Sequence, residues 1–110
     1  MAVLSATTES AADTAVTLTI AMGNGKNRIF LRSLTVTTRG ADLPDDVQID
    51  VNDDGTEIWS MNLRSLQVFG AHISFPKNGP VIARAGDMTI VAGAAGAACI
   101  VKISCTYEII

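Results

Sequence analysis

The chain is short of almost everything that marks a centre of chemistry. Its 110 residues include one His, one Trp, one Tyr, three Phe and two Cys. One His and two separated Cys provide no ligand spacing for zinc, so neither a metal nor a cofactor is expected. Only 17% of residues are charged, against roughly 25% in ordinary soluble domains. The eight Lys and Arg are scattered and the formal net charge is −3, so the basic face that nucleic acid requires is missing. No apolar run reaches the length of about 18 residues that a membrane-spanning helix needs. The opening residues, Met1 to Ala6, lack the positive start and long apolar core of a secretory signal. Folding in a cytoplasm is the expectation.

What the chain does have is small and apolar. Hydrophobic residues make up 48%, and fifteen of them are Ala, which carries little burial energy per residue. With so few charges, the surface has to expose neutral or apolar area, and contiguous area of that kind marks contact sites. The length suits one domain. A domain of this size is marginal without help, and the composition points to neighbouring subunits as that help.

Periodicity supplies the fold class. Val16, Leu18 and Ile20 alternate with Thr17 and Thr19, the pattern of a half-buried strand over residues 14–21. A Gly-Asn-Gly turn follows, then a strand over residues 28–38. There Ile29 and Leu31 fall on one face and Phe30, Leu34 and Val36 on the other. That doubling predicts either a strand buried on both sides or a bulge near Arg32 and Ser33. Residues 46–51 and 56–63 alternate on either side of Asp54-Gly55, a strong hairpin signal. Further strands are expected over about 66–75, over 88–92 and over 99–109, the last with Cys99, Val101, Ile103, Cys105, Tyr107 and Ile109 inward. No segment keeps a helical period. The expectation is an all-β antiparallel sandwich, jelly-roll-like, of seven or eight strands over residues 14–110, with a closed barrel as runner-up. Residues 1–13 read as an N-terminal arm, either a disordered tail or a strand added to a neighbour's sheet.

The candidate sites are thin. Asp50-x-Asn52-x-Asp54-Gly55 matches the first half of a calcium loop, but the twelfth position is Met61 and the ninth Ile58, so an acidic hairpin turn is expected, with Glu57 nearby. Gly23-Asn-Gly-Lys26-Asn27 lacks the spacer and following helix of a phosphate loop and reads as a turn. His72 has Ser74 two residues away, but nothing marks a nucleophile elbow, so no catalytic residue is expected. Cys99 and Cys105 lie in one strand about 20 Å apart, too far for a disulfide, and read as buried small hydrophobes. Trp59 reads as a core or subunit-interface residue packed with Met61 and Leu63. The expected interface residues are Val3 and Leu4 in the arm, Trp59, and Phe69, His72, Phe75, Pro76 and Pro80 around the Phe-Pro loop.

The order of elements carries a resemblance. A Gly-rich turn leads into Arg28-Ile-Phe-Leu-Arg-Ser-Leu-Thr-Val-Thr. Then come Val47-Gln-Ile-Asp-Val, Asp-Gly, Thr56-Glu-Ile-Trp, a Phe-Pro-x-x-Gly loop, Ala85-Gly-Asp-Met-Thr-Ile and an Ala/Gly turn before the last strand. Over residues 14–110 this resembles small tailed-bacteriophage β-sandwich structural proteins of the capsid cement or decoration type. The resemblance implies a virion protein assembled in the bacterial cytoplasm, a trimer or other homo-oligomer, bound to the outer capsid surface where major capsid proteins meet. A tail, neck or fibre-associated module would share these features. A carbohydrate or host-surface binding module is the remaining alternative, and it requires Trp59 to stand out as an exposed platform.

Overall fold

The computed structural model describes residues 3–40, 46–63, 71–76, 81–94, 96 and 99–110. Within them nine strands form: β1 (Leu4–Glu9), β2 (Val16–Ile20), β3 (Ile29–Gly40), β4 (Val47–Asp53), β5 (Thr56–Leu63), β6 (Ala71–Ser74), β7 (Ile82–Ala83), β8 (Met88–Ala92) and β9 (Cys99–Ile109). No helix occurs among the described residues, and none is long and apolar enough to cross a membrane.

The strands make two antiparallel sheets. Sheet A has the order β1-β9-β3-β6, with β7 pairing the start of β3; sheet B has the order β2-β8-β4-β5. If the two-residue β7 is set aside and the rest renumbered, these orders become 1-8-3-6 and 2-7-4-5. That is the connectivity of a jelly roll, in which two Greek keys wrap two sheets face to face. The expected sandwich is therefore present with its topology resolved.

The inner faces form one core. Ile29, Leu31, Leu34 and Val36 of β3 and Val101, Ile103 and Cys105 of β9 are buried against Val47, Ile49 and Val51 of β4 and Met88 and Ile90 of β8. The doubled pattern of β3 resolves as a bulge. Its pairing with β9 shifts between Leu31 and Ser33, so Arg32 has no opposite residue. Ile29 and Leu31 before the bulge then share the inner face with Leu34 and Val36 after it, and Phe30 falls outside the core. Arg32 is used twice. Its carbonyl accepts the Phe75 amide at 2.8 Å, and its guanidinium lies 3.2 Å from the buried carboxylate of Glu108.

The segment read as an arm becomes β1, paired over six residues with β9 at the edge of sheet A. Its side chains are mostly exposed, and only Ala6 packs against the core. The turn after it is pinned by hydrogen bonds. Ser10 exchanges bonds with Val101, and the Asp13 carboxylate accepts the Gly96 amide at 3.0 Å.

Candidate functional site

The β4–β5 hairpin turns through Asp54 and Gly55, both at positive φ (49° and 85°), as the two-residue loop of a hairpin demands. The calcium-like residues around it do not converge. Asp50 lies beside Glu57 and Gln48, and Asn52 donates to Thr89 Oγ1 at 3.3 Å. Asp53, which the calcium reading passed over, has the clearest role. Its carboxylate accepts the backbone amides of Arg84, Ala85 and Gly86 at 2.9 to 3.1 Å, fastening the β7–β8 turn to the hairpin. Burial pushes this carboxyl up, but the three amides and the Arg84 charge outweigh it and hold it below its ordinary value. Glu57 moves the other way. A hydrogen bond shared with the Asp50 carboxyl, a slight loss of hydration and the Asp50 charge raise it, against a smaller opposing contribution from Gln48. Among the described residues no group of three or more His, Cys, Asp or Glu is placed to hold a metal ion.

The expected interface residues separate into three environments. Trp59 is half-buried and meets Phe75 edge-on, ring centroids 5.4 Å apart at 88°. Phe75 is buried, so the structure places it in the core rather than on a contact surface. Trp59 therefore packs at the margin of the core and stays partly exposed. His72 and Pro76 are exposed beside that core. Val3 and Leu4 are exposed at 55% and 43%, and the register that sets Leu4 opposite Tyr107 puts Ile110, exposed at 44%, at the same end of sheet A. Phe69 and Pro80 lie outside the described residues. Both cysteines are buried on β9 without a disulfide, and burial pushes the Cys105 thiol up to about 11.

The largest feature that sequence reading missed is the outer face of sheet A. The registers place Ser5 opposite Thr106, Thr106 opposite Ser33, and Ser33 opposite Ser74. One step along the strands, Thr7, Ser104, Thr35 and His72 align in the same way. All of these but Ser74, together with Ala6 and Cys105, line an open groove of about 570 Å³ that Lys102 also borders. Hydroxyls bond across it: Thr7 to Ser104 at 2.9 Å, Ser33 to Thr106 at 2.6 Å, and Thr35 to His72 Nδ1 at 2.6 Å. Ser74 Oγ sits 3.4 Å from His72 Nε2, so both ring nitrogens face hydroxyls. The signal was in the sequence, as Ser and Thr at alternate positions of four segments. Only the pairing of those segments turns it into a surface.

No family model and no curated protein matches the chain. Among solved structures, it is similar to a chain of the cryo-EM structure of the giant freshwater prawn Macrobrachium rosenbergii extra small virus particle. The identity is 20%, the match covers 97% of this chain and 79% of that one, and the TM-score is 0.39. A likeness at that level carries nothing further.

Proposed function

We propose that this jelly roll is an attachment protein of a virus particle, of the tailed-phage cement or decoration type. In this reading it forms a homo-oligomer, with a trimer favoured, and binds the outer shell where major capsid proteins meet. The observation that carries it is the apolar end of sheet A. Val3, Leu4 and Ile110 are the large hydrophobic side chains standing exposed among the described residues, and they gather at one end. Exposed apolar side chains bordered by a charge, here the exposed Arg28 that exchanges backbone hydrogen bonds with Ile110, fit the apolar core and polar rim of a protein interface. The jelly roll supports the reading at the level of fold, because capsid proteins are among its recurrent users, although the same fold serves lectins and enzymes. The low overall charge supports it too, since many weak contacts repeated over a lattice add through effective concentration.

The test is native mass in solution followed by co-sedimentation with shells of a tailed-phage major capsid protein, expanded and unexpanded. The expected result is an oligomer that pellets with expanded shells, with Leu4→Glu abolishing the pelleting. A monomer that stays in the supernatant with both kinds of shell overturns the proposal.

A further inference from the structure

The groove on the outer face of sheet A is independent of that apolar end, and its chemistry is different. We propose that it is a binding site for a saccharide carrying an acidic group. Three observations point there. The first is extent. Of the two aligned rows, one lines the groove across four strands, roughly 14 Å at about 4.8 Å per strand spacing, and the other across three; the aligned positions are Ser, Thr or His, with Ala6 and Cys105 also in the lining. A single phosphate or sulfate ion would use a small part of such a floor. A chain of sugar rings would use all of it.

The second is the kind of polar group. Each hydroxyl can donate one hydrogen bond and accept two. Thr7 donates to the Ile103 carbonyl at 3.1 Å and so accepts from Ser104; after this and the Ser33–Thr106 and Thr35–His72 pairings, acceptor lone pairs remain on these hydroxyls and one proton of the Ser33–Thr106 pair stays free. A floor that both donates and accepts suits a ligand made of hydroxyls, whereas a bare oxyanion needs donors alone.

The third is charge. The chain is acidic overall, yet no carboxylate lines the groove. Glu9, opposite Lys102 in the register, gives both its oxygens to Arg39, at 2.6 and 3.1 Å. Lys102 is therefore exposed at the groove wall with no ion pair of its own among the described residues. The Glu9 carboxylate feels the Lys102 charge but is bonded to Arg39, which leaves a net positive charge beside an uncharged floor of hydroxyls, methyl groups, Ala6 and Cys105, and this complements one acidic group on an otherwise neutral sugar. The groove has no aromatic platform, so each site is weak, and repetition on an assembly would supply the avidity.

The experiment is an amide-resolved NMR titration of the full chain with sialyllactose, glucuronic acid and a sulfated disaccharide, with lactose and inorganic sulfate as controls. Shifts are expected at Ser5 to Thr7, Ser33 to Thr35, His72 and Lys102 to Thr106 with at least one acidic sugar. Lactose should bind at least tenfold more weakly. Lys102→Ala should weaken the acidic sugar about tenfold while leaving lactose unchanged, and Thr35→Val, which keeps the side-chain shape, should weaken both. The spectrum of each variant reports whether it is folded. Absence of shifts up to about 10 mM for all three acidic sugars overturns the proposal, a concentration at which even millimolar affinity would register. So does saturation of the same shifts by sulfate alone, or shifts confined to the Val3, Leu4 and Ile110 end.

Discussion

Sheets A and B present nearly interchangeable inner faces and dissimilar outer ones. Inside, β3 and β9 supply Leu, Ile, Val and Cys to meet the Ile, Val and Met of β4 and β8, all fully or almost fully buried. Outside, sheet A carries its hydroxyl rows and Lys102, whereas sheet B carries Gln48, Asp50 and Glu57 bonded among themselves. The inner faces answer to packing, which asks only for apolar volume. The outer faces are free of that demand, so they can differ without disturbing the core.

The largest effects should confirm that the two inner faces are equivalent. Leu34→Ala in sheet A and Ile49→Ala in sheet B each remove a side chain with no exposure. Each should lower unfolding free energy by about 2–5 kcal/mol, read from denaturant midpoints. If one proves nearly neutral, the sheets do not share one core equally. Next comes Asp53→Ala, which releases three amides of the β7–β8 turn and should cost about 1–2 kcal/mol, the charge-assisted bonds being discounted for their exposure.

The same variant carries a pH signature. The folded Asp53 carboxyl lies below the ordinary 3.8, so its stabilisation is complete above that value and is lost as pH falls through the lowered one. Asp53→Ala should flatten the acid limb of the stability profile. Gly55→Ala forces a side chain into positive φ and should cost about 1 kcal/mol without altering that limb.

The smallest effect sharpens the contrast outside. Glu57 is raised above 4.5, so the stability tied to it is present below that value and declines as pH rises through the raised one. Glu57→Gln should remove this decline, leaving the variant slightly more stable than the parent at neutral pH. Its sign is opposite to that of Asp53, four residues away in the same hairpin. Unfolding curves measured across pH for both variants would expose any error in that assignment.

Much of the inner architecture was legible because burial writes itself as alternation. The ranges of β5, β8 and β9 match expectation end to end, and the Asp-Gly turn sits where the hairpin signal placed it. The strand expected over 66–75 can be compared only at its end, where β6 spans Ala71–Ser74. β1 escaped notice because an edge strand can be held by backbone hydrogen bonds while burying little, and Ser-Ala-Thr-Thr shows no apolar stripe. β7 is two residues long and has no pattern to show. The groove was illegible for another reason. Ser5, Thr106, Ser33 and Ser74 come from four separate strands, and no local window contains their alignment. Asp53 was overlooked because its partners lie about thirty residues downstream, in a turn whose fold it helps to make.

The bulge at Arg32 has a consequence for the length of the gene as well as for the shape of the strand. Counted along β3, the residues that reach the core are 29 and 31, then 34 and 36. Losing one codon, that of Arg32, would leave those four at strictly alternate places, and the alternation would be whole without it. Arg32 is thus a surplus residue by the count of the strand. Its removal would strip the partner from the buried Glu108 and the acceptor from the Phe75 amide while sparing the hydrophobic order entirely. Such a deletion mutant would separate two things that point substitutions leave entangled: how far the fold depends on its pattern, and how far on the single polar knot tied across it.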